Sequence, residues 1–386
     1  MGNNTLGANL LRLRKDRNLT QVQLAELAAI SKGAYRNLEK GRAEPRAETL
    51  KALATALDAS LKELLAPVRL LSNVRFRSLK RLKSRDQVLA EVTQWLEDFS
   101  GLEKVVDEQR PDILQALWKE ISGLQQRDPI VVAALARTHF GLHEKEPVHD
   151  ICGLLESGGI KVFSLKVFSD AFFGLSVSEE DGGPAVIVNT WERLPVETWI
   201  FSAAHELGHL LLHLGAFDVS QEQEIPSEEK EADQFASHFL MPEEVFKREW
   251  NDAAGLSFVD RVLKVKRVFK VSWRTVLYRV AEDFPPDQRF LVWKSFNLGY
   301  KNQKGRALLK HDEPQGITRE IYDHNGGSRS LGSEPAGMAP YDFKEDRLLY
   351  LIRKALDRGE ISFSRAAEIL GIPLMKMREL SASWVA

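Results

Sequence analysis

The residues best equipped for chemistry lie in one stretch, residues 201–215, FSAAHELGHLLLHLG. His205 and His209 are four residues apart, so on a helix they share one face. Two imidazoles so placed can ligate a single zinc ion, and Glu206 between them can reach the attacking water as general base, the logic of an H-E-x-x-H motif. The surrounding residues are apolar and rich in Ala and Leu, which suits a buried helix. Unsatisfied polar groups there would cost several kcal/mol, and a metal would satisfy them. His213 does not extend the set. At a rise of about 1.5 Å per residue it stands about 12 Å from His205, too far for one ion with nitrogens at about 2 Å. Nothing in Leu210, Leu211 or Leu212 breaks the helix. His213 therefore reads as a helix-end residue, and the third ligand must come from further on.

The acidic segment SEEKEADQFASHFLMP, residues 227–242, offers Glu228, Glu229 and Glu231. Ala232, Phe235, Ala236 and Phe239 recur at helical spacing, so this is a second packed helix. Periodicity leaves the three glutamates open. From about residue 129 to 285, AHELGHLLLH followed by EADQFASHFLMP resembles the ImmA/IrrE family of metallopeptidases. The resemblance implies Zn2+ as cofactor and Glu231, which opens the second motif, as the ligand that completes the site. It also implies a supporting role for Asp233. His238, seven residues past Glu231 and on the same helix side, is a further candidate, for orienting substrate. Two histidines and one carboxylate leave a coordination position open, the arrangement of a catalytic rather than a structural zinc. The expected activity is that of a zinc metalloendopeptidase.

The elements around this site divide the chain. Residues 8–66 read as five short helices. Thr20 and Ser31 are N-cap residues, Gly41 a stop, and a tight turn at AAIS joins two of the helices, as in a helix-turn-helix. This order is similar to the phage-repressor (Cro/C1-type, or XRE) DNA-binding family over its full length. The resemblance implies that Gln21 lies near a phosphate and that the third helix enters the major groove, presenting Ser31, Lys32, Tyr35 and Arg36, with Arg42 nearby. Ala29 stands where the family commonly has Gly, and Gly33 interrupts the recognition helix. Residues 1–66 carry eleven Lys/Arg against seven Asp/Glu, and residues 67–86 seven against one, within a net charge of −2. This local excess points to an anionic partner, operator DNA.

Beyond residue 128, DICGLLESGGIKVF, AFFGLSVS and PAVIVNT suggest a helix, a Gly-Gly turn and a small antiparallel sheet ahead of the histidine helix. The expected class is mainly α with a small β-sheet (α+β). The expected domains are a helix-turn-helix domain (1–66), a basic helical linker (67–128), a zincin-like metallopeptidase domain (129–313), a flexible Gly/Ser/Pro-rich connector (314–340) and a C-terminal helical module (341–386). That last module also resembles a helix-turn-helix, with Gly371 at its turn. Cys152, the single cysteine, reads as a buried structural thiol. No apolar run is long enough for a membrane span and the start lacks a signal-peptide core, so a cytoplasmic protein is expected. Domain order suggests a DNA-binding protease that cleaves a repressor- or antitoxin-like protein to control transcription in a stress or defence response. The alternative is a non-proteolytic regulator whose peptidase-like domain senses metal or ligand. Repressor-type modules pair to read half-sites, so a homodimer is expected.

Overall fold

A computed structural model of the chain describes residues 5–17, 19–65, 71, 74–76, 85–110, 113–143, 146–213, 225–309, 311–315 and 337–384. The chain divides into two compact units, Met1–Leu71 with Lys83–Trp95, and Ser72–Leu82 with Leu96–Ala386.

In the first unit, α1 (Thr5–Asp16), α2 (Gln21–Leu27), α3 (Lys32–Glu39), α4 (Ala47–Ala56) and α5 (Leu61–Leu65) enclose a core of Leu10, Leu13, Leu24, Tyr35, Leu38, Leu53, Leu57 and Leu64. Thr20 caps α2 in a capping box with Gln23, and Ser31 caps α3 by accepting from the Ala34 amide. Gly41, just past α3, has φ +65°. Ala29, in the turn between α2 and α3, has φ +53°, a left-handed conformation that costs a residue with a Cβ about 1–2 kcal/mol. The turn keeps its shape although its glycine is missing.

The second unit is built on four strands, β1 (Val74–Phe76), β2 (Lys161–Leu165), β3 (Gly174–Val177) and β4 (Ala185–Asn189), in the order β1-β3-β4-β2. The sheet is mixed rather than wholly antiparallel. β4 pairs antiparallel with β3 but parallel with β2, because the chain makes β3 as a crossover before returning alongside β2. Against the sheet lies α10 (Val196–Leu212), packed along α11 (Pro226–Leu240). Further helices follow in sequence. Between β1 and β2 come α6 (Arg85–Val105), α7 (Ile113–Ser122), α8 (Pro129–His139) and α9 (Ile151–Ser157). After α11 come α12 (Glu243–Asp252), α13 (Phe258–Phe269), α14 (Trp273–Glu282) and α15 (Phe290–Lys304), then α16 (Arg347–Asp357), α17 (Phe363–Ile369) and α18 (Leu374–Ser383). The molecule is mainly helical with a small sheet.

Two expected boundaries give way. Residues 67–128 are not a free-standing helical linker. Within them β1 is a strand of the sheet, and Leu114, Leu117 and Ile121 of α7 belong to the same apolar core as α10 and α11. Nor is 341–386 a separate module. Phe343 meets the Trp199 ring edge-on at 6.3 Å, Arg347 reaches Glu103 at 2.5 Å, and Glu156 accepts the backbone N–H of Asp346 and Arg347. Its turn glycine, Gly371, has φ +62°. The connector expected at 314–340 lies outside the described residues over 316–336. The segment just before it is tied down, since Lys266 donates to the Pro314 carbonyl and the Trp273 indole to that of Asp312. Cys152 is fully buried, and burial pushes its thiol well above the usual range, as a structural thiol requires.

Candidate metal centre and nucleic-acid interface

Helix α10 is apolar on almost every side, and His205, Glu206 and His209 are each at most 1% exposed within it. Gly208 lets α11 come close. A Cβ there would stand 2.9 Å from a ring carbon of Phe235 and 3.3 Å from the Ala232 backbone. The two helices thus approach where the motif needs them to.

His205 Nε2 and His209 Nε2 face each other at 2.9 Å. Glu229 spans both from α11, its Oε2 3.3 Å from His205 Nε2 and its Oε1 3.3 Å from His209 Nε2. These three side chains form the group able to hold a metal ion among the described residues, with ligand atoms all within 4.8 Å of one another. Burial pushes the Glu229 carboxyl up, but the hydrogen bonds to His205 and His209 outweigh it and hold the group far below the usual carboxylate range. Ligand atoms of all three side chains thus converge on one place.

The outer nitrogens fit this. His205 Nδ1 donates to Asp233 at 2.8 Å. His213 Nε2 donates to Glu231 at 2.9 Å, and the His213 Nδ1 lies 3.0 Å from His209 Nδ1. A carboxylate behind each ring, directly or through His213, keeps the proton on Nδ1 and turns Nε2 inward as a ligand. Two imidazole nitrogens and a carboxylate converging in a buried site are a donor set suited to zinc.

The expectation for Glu231 is corrected here. At about 100° per residue, Glu229 and Asp233 lie within about 40° of each other on α11, whereas Glu231 is about 200° from Glu229. Glu231 is thereby turned to His213, at the C-terminal end of α10, and supports His209 from behind. The same angle removes His238. Seven residues past Glu231, it lies on the Glu231 side, where Arg279 donates to its Nε2 at 2.7 Å and Glu282 is 3.3 Å away. Asp233 lies on the same side as Glu229, 2.8 Å from His205 Nδ1. Apolar residues 232, 235, 236 and 239, continued back one turn, already reach 228 and 229, a signal present in the sequence.

Glu206, next to His205 on α10, packs against the sheet. Gly174 of β3 makes room for it, since a Cβ at 174 would stand 3.2 Å from Glu206 Oε1 and 2.9 Å from the Ile187 carbonyl.

In the first unit, Ser31, Lys32, Arg36 and Arg42 are exposed. Tyr35 is not. It is fully buried, its hydroxyl 3.4 Å from the Leu10 carbonyl, because it shares the inward face of α3 with Leu38 three residues on. Burial first, and then Glu39, raises its hydroxyl far above the usual phenol range. Its assignment as a DNA contact is withdrawn. The Gln21 side chain donates to Glu39, whose carboxylate also takes two N–H groups of Arg14, each at 3.0 Å. The start of α2 and the end of α3 are thereby clamped to α1.

Residues 155–281 match the model of the IrrE N-terminal-like domain, a peptidase family, and residues 10–64 match that of the helix-turn-helix. The immunity repressor protein of Bacillus phage phi105 is 32% identical over 99 residues, which cover 25% of this chain and 69% of the phage protein. An uncharacterized HTH-type transcriptional regulator y4dJ of Sinorhizobium fredii is 39% identical over 62 residues, 16% of this chain and 80% of that protein.

Proposed function

Because the chain belongs to the repressor-type helix-turn-helix family and joins that DNA-binding unit to an IrrE/ImmA-like peptidase domain, we propose that it is a DNA-binding zinc metallopeptidase. Its substrate is a repressor- or antitoxin-like protein, cut at a limited site to relieve repression. The observation that carries this reading is the convergence of His205, His209 and Glu229, with Glu206 buried next to His205 on the same helix. A zinc ion held by those three would acidify water and polarise a peptide carbonyl. Glu206, 1% exposed, takes the proton from the attacking water and returns it to the leaving amine. Asp233 and the His213–Glu231 pair fix the rings, so that neither imidazole has to turn as charge develops. Operator binding falls to the exposed face of α3, with Ser31, Lys32 and Arg36, together with Arg42 and the Gln21 end of α2.

The test is cleavage of co-expressed repressor-like proteins, followed by mass spectrometry of the products. Wild type should yield a discrete product, and Glu206→Gln should retain metal while losing at least 100-fold in rate. Equal products from both proteins would reject the hydrolase. A second reading, a regulator that senses metal without cutting, is favoured by the relatives, which are named as a repressor and a transcriptional regulator. In that case promoter control would persist unchanged in Glu206→Gln and respond to zinc.

A further inference from the structure

Helix α15 is held firmly by its inner face. Val292, Phe296 and Tyr300 are buried, and the Phe296 ring stacks on Trp273 at 4.9 Å. Gly299 brings the helix close to α13, since a Cβ there would stand 2.9 Å from a methyl of Val259. The outer face is apolar as well. Phe290 is 60% exposed, Leu291 43% and Leu298 58%. At about 100° per residue, Leu291 and Leu298 fall within about 20° of each other and form one stripe toward solvent. The apolar surface continues onto α14 through Tyr278, 62% exposed, whose ring meets Trp293 edge-on at 4.8 Å. A single exposed leucine is ordinary, whereas several adjoining apolar side chains on a rigid helix mark a contact surface.

The charges around this stripe indicate what covers it. α15 carries Lys294, Lys301 and Lys304 and no acidic residue. Exposed Asp283 and Asp287 lie at its N-terminal end, beside Arg289, and Lys301 and Lys304 at its C-terminal end, where Arg306 is already paired with Asp312. The face is thus acidic at one end, apolar between, and basic at the other. Such a face complements its own copy turned end for end. With a two-fold axis between the levels of Lys294 and Ser295, Leu291 of each copy stands level with Leu298 of the other. Asp287 then falls level with Asn302, between Lys301 and Lys304, and Lys294 meets Ser295 rather than itself. A contact of this kind is isologous and closes on two copies. A parallel arrangement would set like charges together at both ends. Asp283 and Asp287 oppose an anionic bilayer or DNA on the same face, and the apolar centre gives DNA nothing to pair with.

We propose that α15 pairs antiparallel with α15 of a second copy, which makes the second unit a dimerisation surface in its own right. The contact uses no residue of the metal site, needs no DNA, and does not rest on the peptidase reading.

Sedimentation equilibrium of the full chain without DNA tests this. Wild type should form a dimer, and Leu291→Asp/Leu298→Asp should raise the dissociation constant about 100-fold. Two charge variants test the direction of pairing. Asp283→Lys/Asp287→Lys makes both ends basic, and Lys301→Glu/Lys304→Glu makes both ends acidic. Each alone should dimerise at least tenfold more weakly than wild type, while an equimolar mixture should form mixed dimers with an affinity close to that of wild type. The substituted side chains are exposed, so thermal midpoints should stay near that of wild type, and rescue in the mixture excludes misfolding as the cause of dissociation. A wild type that stays monomeric at about 100 µM overturns the proposal. It does so equally if that monomer binds phosphatidylglycerol vesicles or duplex DNA through Leu291 and Leu298, which would give the face another occupant. A dimer indifferent to the leucine variant, or a mixture no tighter than its parts, overturns it too.

Discussion

At the residue scale, the account turns on where single side chains point. His205, Glu206 and His209 are legible in the sequence because four-residue spacing and an apolar setting leave them few roles. Periodicity on α11 narrows the ligand only to Glu228 or Glu229, while the motif resemblance points to Glu231, two residues past Glu229 and across the helix. A positive φ, by contrast, shows in no composition. Ala29 sits at +53° in the turn between α2 and α3. Ala29→Gly should therefore stabilise this region by about 1 kcal/mol. Hydrogen exchange of the α2 and α3 amides in the full chain checks it. Protection should rise by about fivefold, and unchanged or lower protection would mean that the turn holds no strain worth relieving.

The elements were easier to foresee than their partners. Capped helices at 21–27 and 32–39 follow from Thr20, Ser31 and Gly41, and α10 from its uninterrupted apolar run. Tyr is amphipathic, and only the spacing of Tyr35 from Leu38 assigns it inward. Three residues of β1 within a basic segment carry no detectable alternation, and their pairing depends on residues about a hundred positions away. Contact between α10 and α11 depends on Gly208. Replacing it by Ala would raise helix propensity by about 1 kcal/mol, but the new methyl would stand 2.9 Å from Phe235 and 3.3 Å from the Ala232 backbone. Overpacking of this kind costs about 1–3 kcal/mol and is expected to win. Gly208→Ala should lower the thermal midpoint and weaken zinc binding together, since Glu229 moves with α11. A raised midpoint would show that the helices can separate freely.

Over the whole molecule, the C-terminal helices belong to the second unit, and Glu156 is one of their anchors. It is 2% exposed, and burial pushes its carboxyl up to about 8, despite the N–H groups of Asp346 and Arg347 that favour its ionised form. A carboxyl raised in the folded state holds a proton that the unfolded chain releases near the ordinary value of 4.5. Its stabilising contribution is therefore complete below that value and is lost as pH rises toward about 8. Thermal unfolding of wild type should weaken between pH 5 and pH 8 more than that of Glu156→Gln, which cannot ionise. Parallel curves for the two proteins would remove Glu156 as the cause. The mixed sheet, the buried C-terminal anchor and the pairing of β1 with β3 do not show in local pattern, because each is a contact between distant parts of the chain.

Zinc titration of three metal-stripped proteins, wild type, Glu229→Gln and Glu231→Gln, tests the coordination assigned to α10 and α11 without needing a substrate. Wild type should take up one equivalent. Glu229→Gln should bind at least 100-fold more weakly, while Glu231→Gln, which loses only the support behind His213, should fall by about tenfold. The reverse order, or three identical isotherms, would contradict the site.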